Sequence, residues 1–82
     1  MAVKILLAIH AESERADEVR LALRNMKEVT FASTTYGGPY DVMAIVEVKN
    51  LEKYRSFALD FVSKITDIVD YVSFIAIGPA HS

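Results

Sequence analysis

The 82-residue chain contains no cysteine, only three glycines and two prolines, and just two histidines. Without cysteine it has neither a covalent staple nor a thiolate site, a composition compatible with a reducing cytoplasm. Its longest apolar runs, Val42 to Val48 and Val69 to Ile77, are broken by charge or turn residues and are too short to span a bilayer. Lys4 precedes only five apolar residues before His10 and Glu12, which is not the pattern of a signal peptide. Lysine and arginine are scattered and the net charge is −2, so the dense basic patch needed to hold a phosphate backbone is missing. Paired carboxylates, metal-ligand spacing and a nucleophile beside a base are missing too. The expectation is a soluble cytoplasmic protein with no cofactor, no membrane contact and no direct hold on nucleic acid.

What is present is apolar. Fully 52% of residues are hydrophobic and the mean hydropathy is +0.25. A single domain of this size buries only about two thirds of its unfolded surface, so its own core gives a thin margin of stability. Association is the remaining way to add burial, and an oligomer is expected.

Tyr36-Gly37-Gly38-Pro39-Tyr40-Asp41 holds the only glycine pair. It separates two β-rich runs, Val29 to Tyr36 and Asp41 to Val48, and reads as the turn of a central hairpin. The glycines accept the positive φ of a reversal, and Pro39 stiffens it. Tyr40 and Asp41 stand beside backbone amides left unpaired by the turn. Two readings stay open here: a site for a small polar ligand, or a hairpin that only turns.

Along the chain, Val3 to Ile9 forms a first strand with two greasy faces, Val3, Ile5, Leu7 and Ile9 against Leu6 and Ala8. His10 closes it, as a strand end or as an acid-base group. A helix is expected from Ser13 as cap, with Glu14 and Asp17 near its positive end and a stripe of Ala16, Val19, Leu23 and Met26. Thr30, Ser33, Thr34 and Thr35 in the second strand suit either a pleated sheet or a pocket wall. The third strand sets Val42, Ala44, Val46 and Val48 against Met43 and Ile45. Asn50 caps a second helix, striped by Leu51, Tyr54, Ala58, Phe61 and Ile65 and widened by Phe57 and Val62. Val69 to Ile77 is the last strand, stopped by Gly78-Pro79. Residues 1–78 then make one domain, and 79–82, with His81, a tail expected to fray.

The order β-α-β-β-α-β with right-handed crossovers gives an α+β, ferredoxin-like fold: a four-stranded antiparallel sheet with two helices on one face. Helices cover only one side of the sheet. Leu6, Ala8 and either Met43 with Ile45 or their alternating partners therefore need another cover, and a second sheet packed face to face across a two-fold axis supplies it. Hiding roughly 600 to 800 Å² of apolar area is worth about 15 to 20 kcal/mol before entropy is subtracted.

The helix segment Asp17-Glu18-Val19-Arg20-Leu21-Ala22-Leu23, the strand entry Glu28-Val29, the hairpin Gly38-Pro39-Tyr40-Asp41 and the apolar strand after it, in that order, resemble one known family. This is the ligand-binding domain of the leucine-responsive and asparagine-synthesis regulators (Lrp/AsnC), also called the regulation of amino-acid metabolism domain. The resemblance runs from about Val3 to Gly78. It implies an amino-acid or related small-metabolite effector, homodimers formed through the sheets, and further assembly into rings, commonly octamers. Effector sites in such proteins lie between dimers near the hairpin. By position, Gly37 and Gly38 offer backbone amides and close approach, Tyr40 shapes the wall, and Asp41 receives an α-ammonium group. Ser33, Thr35 and Ser73 are expected to complete the site. Full-length members begin with a helix-turn-helix domain that this sequence lacks, so the implied effect on transcription is indirect, through mixed assembly with a full-length relative. Gly37, where a polar residue often stands, and Pro39 depart from the family's hairpin and leave effector preference open. Two alternatives remain: a small monooxygenase or isomerase of the dimeric α/β-barrel type, using His10, Tyr36 and Asp41 as acid-base groups, and another amino-acid-binding module of the same topology whose sheets pair side by side.

Overall fold

The computed structural model describes residues 2–75. Within them run β1 (Val3–Ala11), α1 (Ala16–Arg24), β2 (Val29–Thr34), β3 (Val42–Val48), α2 (Leu51–Lys64) and β4 (Ile68–Ile75). The sheet order is β2-β3-β1-β4 and every neighbouring pair is antiparallel. This is the ferredoxin-like βαββαβ arrangement. The strand end at Ala76-Ile77, the Gly78-Pro79 stop and the tail with His81 lie outside the described residues. No helix among those described is long and apolar enough to cross a membrane.

Strand alternation makes the core. Ile5, Leu7, Ile9 and Ala11 of β1 and Val42, Ala44, Val46 and Val48 of β3 turn to the helices and are buried. Val19 and Leu23 of α1 and Phe57 and Phe61 of α2 close over them. Phe61 meets Tyr71 of β4 edge to face at 5.4 Å. Asn50 caps α2 as expected, its side chain accepting from the Lys53 amide at 2.9 Å.

Several expectations need correcting. Ser13 does not cap α1: Arg15 occupies that place without a side-chain bond. The chain turns earlier, through an Arg15 amide that donates to the Glu12 carbonyl at 2.9 Å and through Glu14 at φ +64°. Asp17 and Glu18, not Glu14, fill the first turn. β1 runs on past His10 to Ala11 because β4 extends alongside it, with His10 opposite Asp70. β2 stops at Thr34, two residues early, so the reversal is a loop of residues 35–41 rather than a tight turn. Leu51 and Val62, expected in the core stripe of α2, are 56% and 51% exposed.

The sheet's second face is bare and apolar. One row crosses it through Phe31, Ile45, Leu6 and Phe74, and the next through Ser33, Met43, Ala8 and Val72. Phe31 and Phe74 are each more than half exposed. Charges sit at the ends of this face: Lys4 beside Glu47, 3.8 Å apart, at one, and His10 opposite Asp70 at the other.

Candidate ligand-binding site

The base of loop 35–41 is pinned from four directions. The Thr35 amide donates to the Asp41 carbonyl at 3.0 Å, and the Thr35 hydroxyl donates to the Tyr40 carbonyl at 2.8 Å. The Asp41 amide donates to the Ile9 carbonyl at 2.9 Å. Asp41 Oδ1 accepts from the Ala11 amide at 2.9 Å. Asp41 thus ties the loop to the last residue of β1, where the ladder with β4 shifts register. One carboxylate oxygen is already in use.

The tip is different. Gly37 and Gly38 have φ of +82° and +69°, and a Cβ built on either would meet nothing within 4 Å. Glycine is required there for its backbone conformation, not for space. Tyr36 is fully exposed, whereas Tyr40 is half-buried at the loop's root. A hydrogen-bonded base therefore carries an exposed tip of residues 36–39.

The structure brings Gly37, Gly38, Thr35, Tyr40 and Asp41 together in this loop and places the two serines elsewhere. Ser33 faces the open side of the sheet opposite Met43, and its hydroxyl donates to the Thr34 carbonyl at 3.0 Å. Ser73 lies opposite Leu7 on the helix side, where its hydroxyl is hydrogen-bonded to Tyr54 of α2. Burial raises the Tyr54 phenol above its usual 10.0, against the lowering effect of that bond and with a further rise from Tyr71. Ser73 thus belongs to the seam between α2 and β4. The Ile9 carbonyl and Ala11 amide, which hold Asp41, had no sequence signal, because backbone groups thirty residues away leave no mark on residue type.

Hollows among the described residues include one of about 760 Å³ at Lys27, Glu28, Lys49 and Lys53 and one of about 360 Å³ beside Val62 and Val69. Others lie by Leu59 and Asp60 and on the open sheet face at Leu6, Ile45 and Phe74. None of these is lined by residues 35–41, and the loop presents an acceptor and amides on an exposed tip. His10, Tyr36 and Asp41 are not joined by any hydrogen bond among the described residues, and no group of three or more His, Asp or Glu among those residues is placed to hold a metal ion.

Comparison with known proteins adds the following. The family model for the Lrp/AsnC ligand binding domain matches residues 3–80. Among solved structures, the hypothetical protein PHS023 from Pyrococcus horikoshii is similar at 28% identity and TM-score 0.85, over 96% of this chain and 94% of that one. AsnC of E. coli is similar at 18% identity and TM-score 0.84, over 98% of this chain but 54% of AsnC. The regulator NMB0573 from Neisseria meningitidis, solved as a complex with L-Met, is similar at 16% identity and TM-score 0.78, over 98% of this chain and 53% of that one. At those two lower identities the likeness is one of fold. No curated protein matches the chain.

Proposed function

The chain belongs to the Lrp/AsnC ligand-binding domain family, and on that premise we propose that it is an amino-acid effector-binding and assembly module acting in transcriptional regulation of amino-acid metabolism. The observation that carries this reading is the family match over residues 3–80, reinforced by a loop with a hydrogen-bonded base and an exposed tip. An effector seated there is shared with another protomer. Gly37 and Gly38 amides receive its carboxylate, the Asp41 oxygen not bound to Ala11 receives its ammonium group, and Tyr40 and Thr35 hold the loop's root. Ser33 and Ser73 point away from that cluster and would contribute only through another copy. L-Met, the ligand of the Neisseria structure, is the first effector to try.

The bare sheet face is the surface for a homodimer, packed face to face across a two-fold axis. Further dimers build a ring, and mixed assembly with full-length regulators carries the signal to DNA in the cytoplasm. Residues 1–78 act in this as one domain. The enzyme reading is not supported by the family, and His10, Tyr36 and Asp41 line none of the hollows named above.

The test is thermal unfolding against the twenty amino acids at millimolar concentration. Ligand at one hundred times its dissociation constant adds about 2.7 kcal/mol. A selective rise in midpoint that disappears in Asp41→Asn, which keeps the acceptor for Ala11 but loses the charge, is the expected result. No rise with any amino acid would overturn the effector reading. Phe74→Lys on the sheet face is expected to break the dimer while leaving the circular dichroism spectrum unchanged.

A further inference from the structure

Lysines that are scattered in the sequence are gathered by the fold. Three of the five, Lys27, Lys49 and Lys53, line the hollow of about 760 Å³. Lys27 comes from the turn between α1 and β2, Lys49 from the end of β3 and Lys53 from the first turn of α2. Loop 35–41 joins the opposite ends of β2 and β3, and the length of β3 sets it about 20 Å away. All three lysines are exposed, and none enters an ion pair among the described residues. Of the two carboxylates at the hollow, Glu47 already lies 3.8 Å from Lys4, which leaves Glu28. The lysine side chains supply the positive charge here rather than the end of α2, because the Lys53 amide is taken by Asn50. An anion placed among them is attracted by all three.

The cavity does not stop at the lysines. Glu28 and Ser56 line it and also line a second hollow, of about 640 Å³, that continues along α2 past Phe57 and Leu59. The part of α2 that borders the two, from Lys53 to Ser63, measures about 15 Å at the helical rise. Three zones follow one another along this groove. The lysines stand at one end. In the middle lie the half-buried Glu28, which enters no ion pair among the described residues, and Ser56, whose hydroxyl donates to the Glu52 carbonyl over a long 3.4 Å. At the far end Leu59, 70% exposed, stands beside the buried Phe57. Cations, hydroxyl-binding groups and an apolar surface thus succeed each other in that order.

We infer that this groove binds a nucleoside monophosphate. Its phosphate lies among the ammonium groups of Lys27, Lys49 and Lys53, which act as point charges on a phosphate, whereas a planar carboxylate is better matched by arginine. The sugar hydroxyls donate to the Glu28 carboxylate, as a ribose does to an acidic side chain in other nucleotide sites, and meet the Ser56 hydroxyl. The base covers Leu59. Free phosphate would leave Glu28 and Leu59 unused, and a nucleic-acid strand would need a longer run of cations than three lysines provide. Glu28 also disfavours a ligand whose negative charge extends along the groove. The inference goes beyond the amino-acid reading, since the two sites lie at opposite ends of β3.

Isothermal titration calorimetry of the full chain with adenosine monophosphate, at fixed ionic strength, tests it. Saturable binding of one nucleotide per chain at concentrations up to millimolar is expected. Adenosine and inorganic phosphate each fill only part of the groove and should each bind at least about tenfold more weakly. Lys49→Gln and Lys53→Gln should each weaken the nucleotide by about tenfold. Arg15→Gln removes the same charge beyond the other end of α1 and should leave the affinity unchanged. Leu59→Ser should weaken the nucleotide but not inorganic phosphate. Every side chain replaced is exposed, so the circular dichroism spectra should match the wild type. No saturable heat, an equal loss in Arg15→Gln and Lys53→Gln, or inorganic phosphate binding as tightly as the nucleotide would each overturn the inference. A thermal screen in which no amino acid acts leaves it standing, so the two readings fail separately.

Discussion

Replacing Asp41 by alanine separates its structural work from its proposed work on the effector. The side chain accepts one hydrogen bond, from the amide of Ala11, and Ala11 is only 2% exposed. In Asp41→Ala that donor loses its partner with little water to replace it. A buried polar group left unsatisfied costs about 1 to 3 kcal/mol. For a domain of this size each kcal/mol moves the unfolding midpoint by about 4 to 8 °C, so the ligand-free variant should melt about 5 to 20 °C below wild type. Asp41→Asn keeps an oxygen at the Oδ1 position and should lose much less. The assay is circular dichroism melting without ligand, at equal protein concentration because association shifts the midpoint. An Asp41→Ala protein that melts with the wild type would refute the argument that this carboxylate pins the loop. An Asp41→Asn protein that melts as low as Asp41→Ala would show instead that the charge, not the acceptor, holds it.

Other substitutions test neighbouring parts of the structure. Gly38→Ala puts a Cβ into open space at φ +69°, so only conformational strain applies; a loss of about 1 to 2 kcal/mol in urea unfolding is expected, and a neutral result would mean that the loop relaxes. Asn50→Ala removes the cap of α2 and should cost about 1 kcal/mol in the same measurement. The raised Tyr54 pKa gives a pH dependence with a definite sign. The unfolded phenol loses its proton near 10 while the folded one keeps it, so the unfolded state binds fewer protons and stability falls as pH rises through that range. Tyr54→Phe should flatten the decline of the midpoint above pH 10, and an unchanged slope would place its cause elsewhere.

Much of the fold was legible because alternation is a local property. The two-faced runs Val3 to Ile9 and Val42 to Val48 announced strands with a second surface to cover, and the structure leaves Leu6, Ile45 and Phe74 on that surface. The Asn50 cap was equally local. The start of α1 was not: Ser13 has the right chemistry for a cap, but the Glu12 amide donates to the Asp67 carbonyl at 2.8 Å, and that distant anchor turns the chain before the serine can serve. Leu51 and Val62 misled for a related reason. They fit a wide helical stripe, yet both are more than half exposed, on the side of α2 turned away from the buried Phe57 and Phe61, and which side of a helix turns inward is set by where the strands beneath it lie.

The candidate site divides in the same way. Gly37, Gly38 and the aspartate that closes the loop could be read directly, because positive φ and a closing acceptor demand particular residue types. That Thr35 joins them was decided by where β2 ends, for beyond Thr34 the chain leaves the ladder and the Thr35 hydroxyl turns to the Tyr40 carbonyl, whereas strand alternation keeps Ser33 on the open face and Ser73 on the helix side. Sequence by itself determined the element order, the two apolar faces and the glycine loop, all of which depend on residues close together in the chain. Only the tertiary structure decided that Asp41 is held by the end of β1, that residues 36–39 stand exposed above it, and that Leu6, Phe31 and Phe74 share one open face of the sheet. Each of those depends on backbone groups and strand neighbours brought together from distant parts of the chain.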